Sequence, residues 1–280
     1  MVLALTAAFT IAEAVGGLLA GSLALLADAG HMLSDDLSLG VALFAAWMAG
    51  RPVTARRTFG YRRAEILAAL FNGATLVAIS IWIFVEAGRR FADPPEVEGV
   101  VVLAIGALGL VVNVAGAAIL ARARPGNLNV SAAFRHLLAD LLGSVGVLVA
   151  AVLVLTTGWR YADPTVSVLI GFLVLASSWS VLRDSIAILL EGTPPGLDAE
   201  TVGRRMAAVT GVEEVHDLHV WMIGPGFPAL AAHVLVKPGD DCHARRRDIE
   251  RVLDGEFGIH HTTLQVDHLA GEQLLQIERR

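Results

Sequence analysis

The sequence contains a single cysteine, Cys242, so no disulfide can form within the chain and nothing points to an oxidising compartment. Two catalytic motifs are absent as well. No G-x-x-x-x-G-K-[ST] run occurs, which leaves ATP hydrolysis unsupported, and no H-E-x-x-H run occurs, which removes a zinc-hydrolase signature. The sequence therefore gives no indication that nucleotide hydrolysis powers the activity of this chain.

Charged residues are also scarce, at 17%, whereas 55% of the 280 residues are hydrophobic and the mean hydropathy is +0.64. The apolar residues form blocks close to the ~20 residues that a membrane-spanning helix needs. We count six blocks, at roughly 2–20, 28–49, 64–88, 97–121, 131–157 and 164–190. The sequence therefore predicts an α-helical membrane protein with six transmembrane helices in a domain over residues 1–195.

The first apolar block has neither the basic stretch nor the small-residue cleavage site of a signal peptide, so we expect it to be the first span. Whether the natural protein has a longer N-terminus is left open.

Loops rich in basic residues remain in the cytoplasm. Eight of the twelve arginines in residues 1–195 follow the second and fourth spans or open the fifth: Arg51, Arg56, Arg57, Arg62, Arg63, Arg122, Arg124 and Arg135. Both termini are therefore predicted to be cytoplasmic.

A separate cytoplasmic domain is predicted over residues 196–280, where no segment is long and apolar enough to cross a membrane. Helix signals begin at Asp198 and near residue 241, and strand signals cover 212–222, 229–236 and 262–269. The order α-β-β-α-β predicts a small α+β domain. It holds seven of the nine histidines and nearly all of the net charge of −6, which suits cations rather than nucleic acid.

Only two histidines, His31 and His136, occur in the first 195 residues, and each is followed four residues later by an aspartate, Asp35 or Asp140. Side chains four apart lie on one face of a helix, so each pair presents two metal-binding groups in one direction. Two such faces meeting would supply four ligands. A buried histidine bonded to a neighbouring helix is the plainer alternative, but it does not account for the repeated spacing.

Other polar residues in the spans have structural explanations. Asp28 lies at the predicted start of the second span, where it can cap the helix. Asp36 lies about 100° around the helix from Asp35, so we expect it beside the site rather than in it. The remaining polar residues are candidates for hydrogen bonds between helices or for a proton path. They are Glu13, Glu86, Asn72 and Asn113.

Several segments together resemble the cation diffusion facilitators, in particular their bacterial zinc-exporting branch. They are SLALLADAGHMLSD at 22–35, TFGYRRAEILAA at 58–69, NLNVSAAFRHLLADLLGSVG at 127–146, VHDLHVW at 215–221 and TTLQVDH at 262–268. The resemblance covers essentially the whole chain. It implies a six-span transporter of the bacterial inner membrane that works as a homodimer, with a tetrahedral metal site between the second and fifth helices. Its ligands would be His31, Asp35, His136 and Asp140.

The same resemblance implies a second metal site in the C-terminal domain. Its ligands would be His216, His233, His260 and Asp267. His243, which lies beside Asp241 and Cys242, is a further candidate as a bridging or partner-chain ligand. Some relatives have histidine where this chain has Gln265, and glutamine is a poor zinc ligand. Metal binding by this domain is therefore left open.

The loop between the second and third spans carries a further metal site in many members of that family. Here the loop is RPVTARRTFGYRR, at 51–63, and arginine stays protonated and cannot bind a cation. We predict that this site is absent. The resemblance instead pairs Arg63 with Glu191 where the last span joins the tail, and an ordinary cytoplasmic arginine is the alternative.

The expected function is a secondary transporter that exports Zn²⁺ from the cytoplasm in exchange for protons. Two imidazoles and two carboxylates favour zinc, although Co²⁺, Fe²⁺, Mn²⁺ and Cd²⁺ take similar ligands. Two alternatives remain. An intramembrane zinc metalloenzyme would need an open coordination position and a general base, and a metal sensor acting through the C-terminal domain would not need paired ligands in the membrane.

Overall fold

The computed structural model describes residues 2–121 and 128–269 of the chain. Six long helices come first: α1 (Val2–Ala20), α2 (Leu23–Ala49), α3 (Ala64–Ala92), α4 (Gly99–Ala121), α5 (Leu128–Thr157) and α6 (Ala162–Leu189). They coincide closely with the six predicted apolar blocks. The largest difference is at the start of α2, which begins at Leu23 rather than near residue 28.

Three helices among the described residues are long and apolar enough to cross a membrane, judged by length and composition. They are Ala64–Ala92, Asp140–Thr157 and Ala162–Leu189, and Thr6–Ala20 and Gly99–Ala115 are shorter apolar stretches. α2 is 27 residues long and carries three aspartates and a histidine within a largely apolar sequence. Two of these polar residues are His31 and Asp35.

The described residues divide into two compact units. The first comprises the residues up to Phe44 together with Ala68–Leu182. Its core consists of small and aliphatic side chains, among which Leu25, Ile83 and Val147 are fully buried. An added Cβ at Gly106 of α4 would lie 3.2 Å from Val147 of α5, so the absence of a side chain there allows α4 and α5 to approach closely.

The second unit comprises Ala45–Leu67 and the described residues from Arg183 onward. After the end of α6 it contains α7 (Ala199–Ala207), β1 (Val212–Gly224), β2 (Phe227–Val236), α8 (Cys242–Phe257) and β3 (His261–His268). The predicted order α-β-β-α-β is confirmed. The strands form one sheet in the order β1-β2-β3, with β1 antiparallel and β3 parallel to β2.

Both helices of the second unit begin at an aspartate cap and pack on the sheet. Asp198 accepts a hydrogen bond from the N–H of Thr201, as its position before α7 predicts, and Asp241 accepts from the N–H groups of His243 and Ala244. The core beneath these helices consists of fully buried apolar side chains from α7, α8 and the sheet. Its members include Val202, Met206, Val234, Ile249 and Leu253.

Candidate metal centre

Two helices bring metal-binding side chains together inside the first unit. His31 and Asp35 lie one turn apart on α2, and Asp140 lies on α5. The Nε2 atom of His31 is 3.3 Å from Oδ1 of Asp140 and 3.6 Å from Oδ2 of Asp35. One ligand atom from each of the three residues lies within 4.8 Å of the other two. The predicted face of α2 therefore meets α5 at Asp140.

The spacing of these atoms fits a zinc ion. Bonds of ~2.0 Å from Zn²⁺ to nitrogen or oxygen, at a tetrahedral angle, place the ligand atoms about 3.3 Å apart. The two distances from His31 Nε2 are close to that value. His31 is only 8% exposed, whereas the Asp35 side chain keeps 28% of its surface. The group is thus shielded on the histidine side and accessible at Asp35.

His136, the fourth predicted ligand, lies on α5 one helical turn before Asp140. Its side chain is outside the part of the structure that is described. The i, i+4 spacing on a continuous helix nevertheless places both residues on one face of α5. The structure thus brings three of the four predicted ligand side chains together and gives the helical position of the fourth, His136.

Asp36 has a different role from its neighbour Asp35. Its two carboxylate oxygens accept hydrogen bonds from the hydroxyl groups of Thr6, at 2.5 Å, and Thr10, at 3.1 Å, both on α1. It does not belong to the His31 cluster. Asp36 therefore joins α1 to α2, and its carboxylate is already satisfied by protein donors.

The interpretation of Asp28 as a helix cap is wrong. Because α2 begins at Leu23, Asp28 lies inside the helix, where it is 3% exposed. The Ser144 hydroxyl of α5 lies 3.5 Å from Asp28 Oδ2, and the Asn113 side chain of α4 donates to Ser144 at 3.0 Å. An added Cβ at Gly143 would lie 3.0 Å from Asp28 Oδ1. A buried polar chain therefore joins α2, α4 and α5 one helical turn from His31.

Glu13 of α1 adds another buried acid to the first unit. It is 1% exposed, and its Oε2 atom accepts no hydrogen bond from the described residues. Its other oxygen, Oε1, would lie 3.2 Å from a Cβ added at Gly109 of α4. Buried ionisable groups of this kind are costly in a membrane and usually functional.

The hydrogen bonds between helices that were predicted for Asn72 and Asn113 are present. Asn72 accepts from the Ser34 hydroxyl, and Asn113 donates to the Ser144 hydroxyl.

Sequence reasoning missed Asp163, which holds the start of α2. Asp163 opens α6, is 1% exposed, and accepts hydrogen bonds from the Ser22 hydroxyl at 2.5 Å and from the N–H groups of Leu23 and Ala24. Arg90 of α3 lies 3.5 Å from the same carboxylate. An acid in the first turn of an apolar span was the available signal. Its partners at the start of α2 are about 140 positions away in sequence, so no local pattern identifies them.

The predicted tail ligands are spread over the second unit. His216 and His233 face each other across β1 and β2, with ring centroids 5.4 Å apart. His260 is paired with Asp254, and Asp267 accepts a hydrogen bond from Gln265 at 2.7 Å. His243 is exposed in the first turn of α8. Within the described ranges, His31, Asp35 and Asp140 form the one group of three or more metal-binding side chains, so tail metal binding stays a prediction.

The predicted ion pair at the end of α6 is present. The Nη2 atom of Arg63 lies 3.3 Å from Oε1 of Glu191, and both side chains are largely exposed. An exposed pair of this kind contributes roughly 0–1 kcal/mol. The ion pair connects the loop after α2 to the residues that precede α7.

Comparison with known proteins gives matches over nearly the whole chain. A family model described as the cation efflux transmembrane domain matches residues 1–190, and one described as the cation efflux protein cytoplasmic domain matches residues 194–269. The chain is similar to the cadmium, cobalt and zinc/H(+)-K(+) antiporter of Bacillus subtilis, with 44% identity over 92% of this chain and 85% of that protein. It is also similar to the zinc transporter ZitB of Escherichia coli, with 46% identity over 94% and 84%. A solved structure, the metal-bound C-terminal domain of the CzcD transporter from Cuprividus metallidurans, covers 25% of this chain and 99% of that one, at 28% identity and a TM-score of 0.25.

Proposed function

Because the chain belongs to the cation efflux family of membrane transporters, we propose that it exports Zn²⁺ from the cytoplasm across the inner membrane in exchange for protons. The single observation that carries the proposal is the group formed by His31, Asp35 and Asp140 between two membrane helices. Imidazole and carboxylate are zinc ligands, and the distances between their atoms suit a tetrahedral ion. His136 supplies the fourth ligand in this proposal.

The choice of metal rests on ligand chemistry and on the relatives. Nitrogen and oxygen donors in a four-coordinate site favour Zn²⁺, and the two relatives named above are described as transporters of zinc, in one case with cadmium and cobalt. Cadmium and cobalt are accordingly the expected secondary substrates. The chain is a transporter rather than an enzyme, as its family is, so intramembrane hydrolysis is not its activity.

The position of one atom supports the proposed exchange for protons. His31 Nε2 lies between Asp140 and Asp35, at 3.3 and 3.6 Å, so the position that binds a metal is also one where a proton on the ring would lie between two carboxylates. Metal ligands must be deprotonated to bind, so protons and Zn²⁺ exclude each other at such a site. A site exposed alternately to the two sides of the membrane would then carry zinc one way and protons the other.

The proposal includes the arrangement of the whole chain in the membrane. The arginines of the loop after α2 favour a cytoplasmic location for that loop, for the tail domain and for both termini. The working form is a homodimer. Its partners are the divalent ion, protons and the lipid bilayer.

Two adjacent carboxylates provide a matched test of the metal centre. Asp35→Asn and Asp36→Asn remove the same charge from the same helix, but Asp35 lies in the ligand group and Asp36 bonds to α1. We expect Asp35→Asn to lower zinc affinity and zinc flux into liposomes by at least about tenfold, because one charged ligand is lost. Asp36→Asn should keep zinc affinity close to that of the wild type.

Isothermal titration of the purified protein with Zn²⁺ and flux in liposomes give the two measurements. Size-exclusion chromatography of both variants checks that they remain folded. Near-normal zinc binding and flux in Asp35→Asn would exclude this residue from the site and remove the main support for the proposal.

A further inference from the structure

The second unit contains a large cavity that is separate from the metal centre. Its volume is about 1180 Å³. One wall is the arginine loop, which we define as Arg51–Arg63 between α2 and α3. Residues of β1, among them Val220 and Trp221, also line it, as does Glu191, just past the end of α6. The cavity therefore lies where the loop between two membrane helices packs against the sheet.

The arginine loop is held firmly against the sheet by aromatic contacts. The guanidinium of Arg62 lies 4.3 Å from the ring centroid of Phe227, at the start of β2. Phe59 packs edge-on against His261 of β3, with ring centroids 5.5 Å apart. An added Cβ at Gly224 would lie 2.7 Å from the Cβ of Arg62, so the loop backbone approaches the end of β1 closely. The walls of the cavity are thus fixed by packing.

The cavity carries an excess of positive charge. Four arginines of the loop line it, and Arg63 is the one among them that pairs with an acid, Glu191. Arg56, Arg57 and Arg62 have no carboxylate within 4.0 Å among the described residues. Arg57 lies 4.2 Å above the ring of Tyr61 instead. A guanidinium that stacks through its face keeps the N–H groups of its edge available for an anion.

Part of the remaining lining is apolar and belongs to the ends of the membrane helices. Met48 comes from the end of α2 and Leu67 from the start of α3, and both line the cavity. Next to Met48 but outside the lining, Arg51 lies 4.1 Å above the ring of Trp47, and tryptophan is typical of the boundary between lipid and water. A ligand that fits these surroundings is anionic at one end and apolar at the other.

We infer that this cavity binds the phosphodiester headgroup of an anionic phospholipid. Guanidinium groups bind phosphate through two parallel N–H bonds, and clusters of basic residues next to a membrane helix attract anionic lipids. A free phosphate ion is also negatively charged, but it has no apolar part that could contact the apolar lining residues. The inference concerns a part of the molecule outside the metal centre and does not depend on zinc transport.

The test compares two pairs of adjacent arginines. Arg56→Gln/Arg57→Gln removes two charges from the cavity and leaves Arg62 and Arg63 in place. Arg246→Gln/Arg247→Gln removes two charges from exposed residues of α8, which do not line the cavity. Arg56→Lys/Arg57→Lys keeps the charge and removes only the planar donors. Each purified full-length protein is titrated in detergent with phosphatidylglycerol and phosphatidylcholine, and native mass spectrometry counts the bound lipids.

We expect the wild type and the α8 variant to prefer phosphatidylglycerol over phosphatidylcholine by at least about tenfold, and the Arg56→Gln/Arg57→Gln variant to lose that preference. The lysine variant should be intermediate. Equal preference in the wild type, or an unchanged preference after Arg56→Gln/Arg57→Gln, would overturn the inference. Displacement of the lipid by inorganic phosphate at equal concentration would also overturn it, in favour of a small-anion site.

A measurement on the wild type alone covers the case in which the glutamine variant does not fold. The preference for phosphatidylglycerol should fall as salt is raised from about 0.05 to about 0.5 M, because the interaction between charges is screened. A preference that is independent of salt would contradict binding by the arginine loop.

Discussion

Asp163 shows how a single buried side chain positions a site on another helix. It accepts hydrogen bonds from the Ser22 hydroxyl and from the N–H groups of Leu23 and Ala24, which begin α2. The first N–H groups of a helix have no partner within the helix, and buried ones are costly when left unpaired. α2 carries His31 two turns further on. Asp163 of α6 therefore helps to fix where the face of α2 that carries the proposed metal ligands lies.

Replacing this residue gives a prediction for stability. Asp163→Ala should lower the free energy of unfolding by ~1–3 kcal/mol, because buried donors at the start of α2 lose their acceptor. Thermal and denaturant unfolding of the purified protein in detergent measure the change. Asp184→Ala, at an exposed aspartate of the same helix that pairs with Arg183, is the matched control and should change stability little. Equal effects of the two substitutions would contradict the capping role.

At the scale of the element, the helix caps of the tail domain make its stability depend on pH. Hydrogen bonds donated by the N–H groups of Ala244 and His243 hold the pKa of Asp241 below its usual range. Hydrogen bonds from the side chain and the N–H of Thr201 do the same for the pKa of Asp198. Each carboxylate therefore adds stability that is complete above its unfolded pKa of ~3.9 and is lost as the pH falls through its lower folded value.

The corresponding variants keep the cap and remove the titration. Asn is also a good capping residue, so Asp198→Asn/Asp241→Asn should unfold at a temperature within a few degrees of the wild type near neutral pH. Below about pH 4 the wild type should lose stability more steeply than the variant. Thermal unfolding recorded by circular dichroism between about pH 6 and about pH 3 gives the comparison. Parallel curves for the two proteins would show that the caps do not cause the acid sensitivity.

The elements themselves were largely predictable from the sequence, and their long-range contacts were not. The length of the apolar blocks predicts α1 to α6, and the alternation at 262–269 predicts β3, because both signals are local. The spacing of His31 and Asp35 predicts their common face for the same reason. The position of Asp28 was predicted wrongly, because the true start of α2 depends on Asp163 in a distant helix. The cavity beside the arginine loop likewise depends on contacts between the loop and the strands.

At the scale of the whole molecule, the proposed function requires zinc export and proton entry to share one site. Neutral imidazole and ionised carboxylate bind metal, so the affinity for zinc should fall as the pH drops from about 7.5 to about 6, where histidine titrates. His136→Asn removes one titrating imidazole from the proposed ligands and should flatten the pH dependence of any residual binding. Zinc titrations at several pH values, with a pH-sensitive dye inside liposomes, measure both quantities. Zinc flux that is accompanied by no proton movement and does not change with a pH gradient would contradict the proposed exchange of zinc for protons.

The aspartates of α2 also bear on how the chain enters the bilayer during its synthesis. At the centre of a helix, each aspartate raises the free energy of insertion by the translocon by about 2.5–3.5 kcal/mol, so α2 is a poor substrate on its own. Only Gly21 and Ser22 separate it from α1, whose Thr6 and Thr10 already bond to Asp36. α1 and α2 are then best inserted together as a hairpin. Asp28 meets the Ser144 hydroxyl only once α5 has been made, so α2 is expected to stay beside the translocon until the fifth helix arrives.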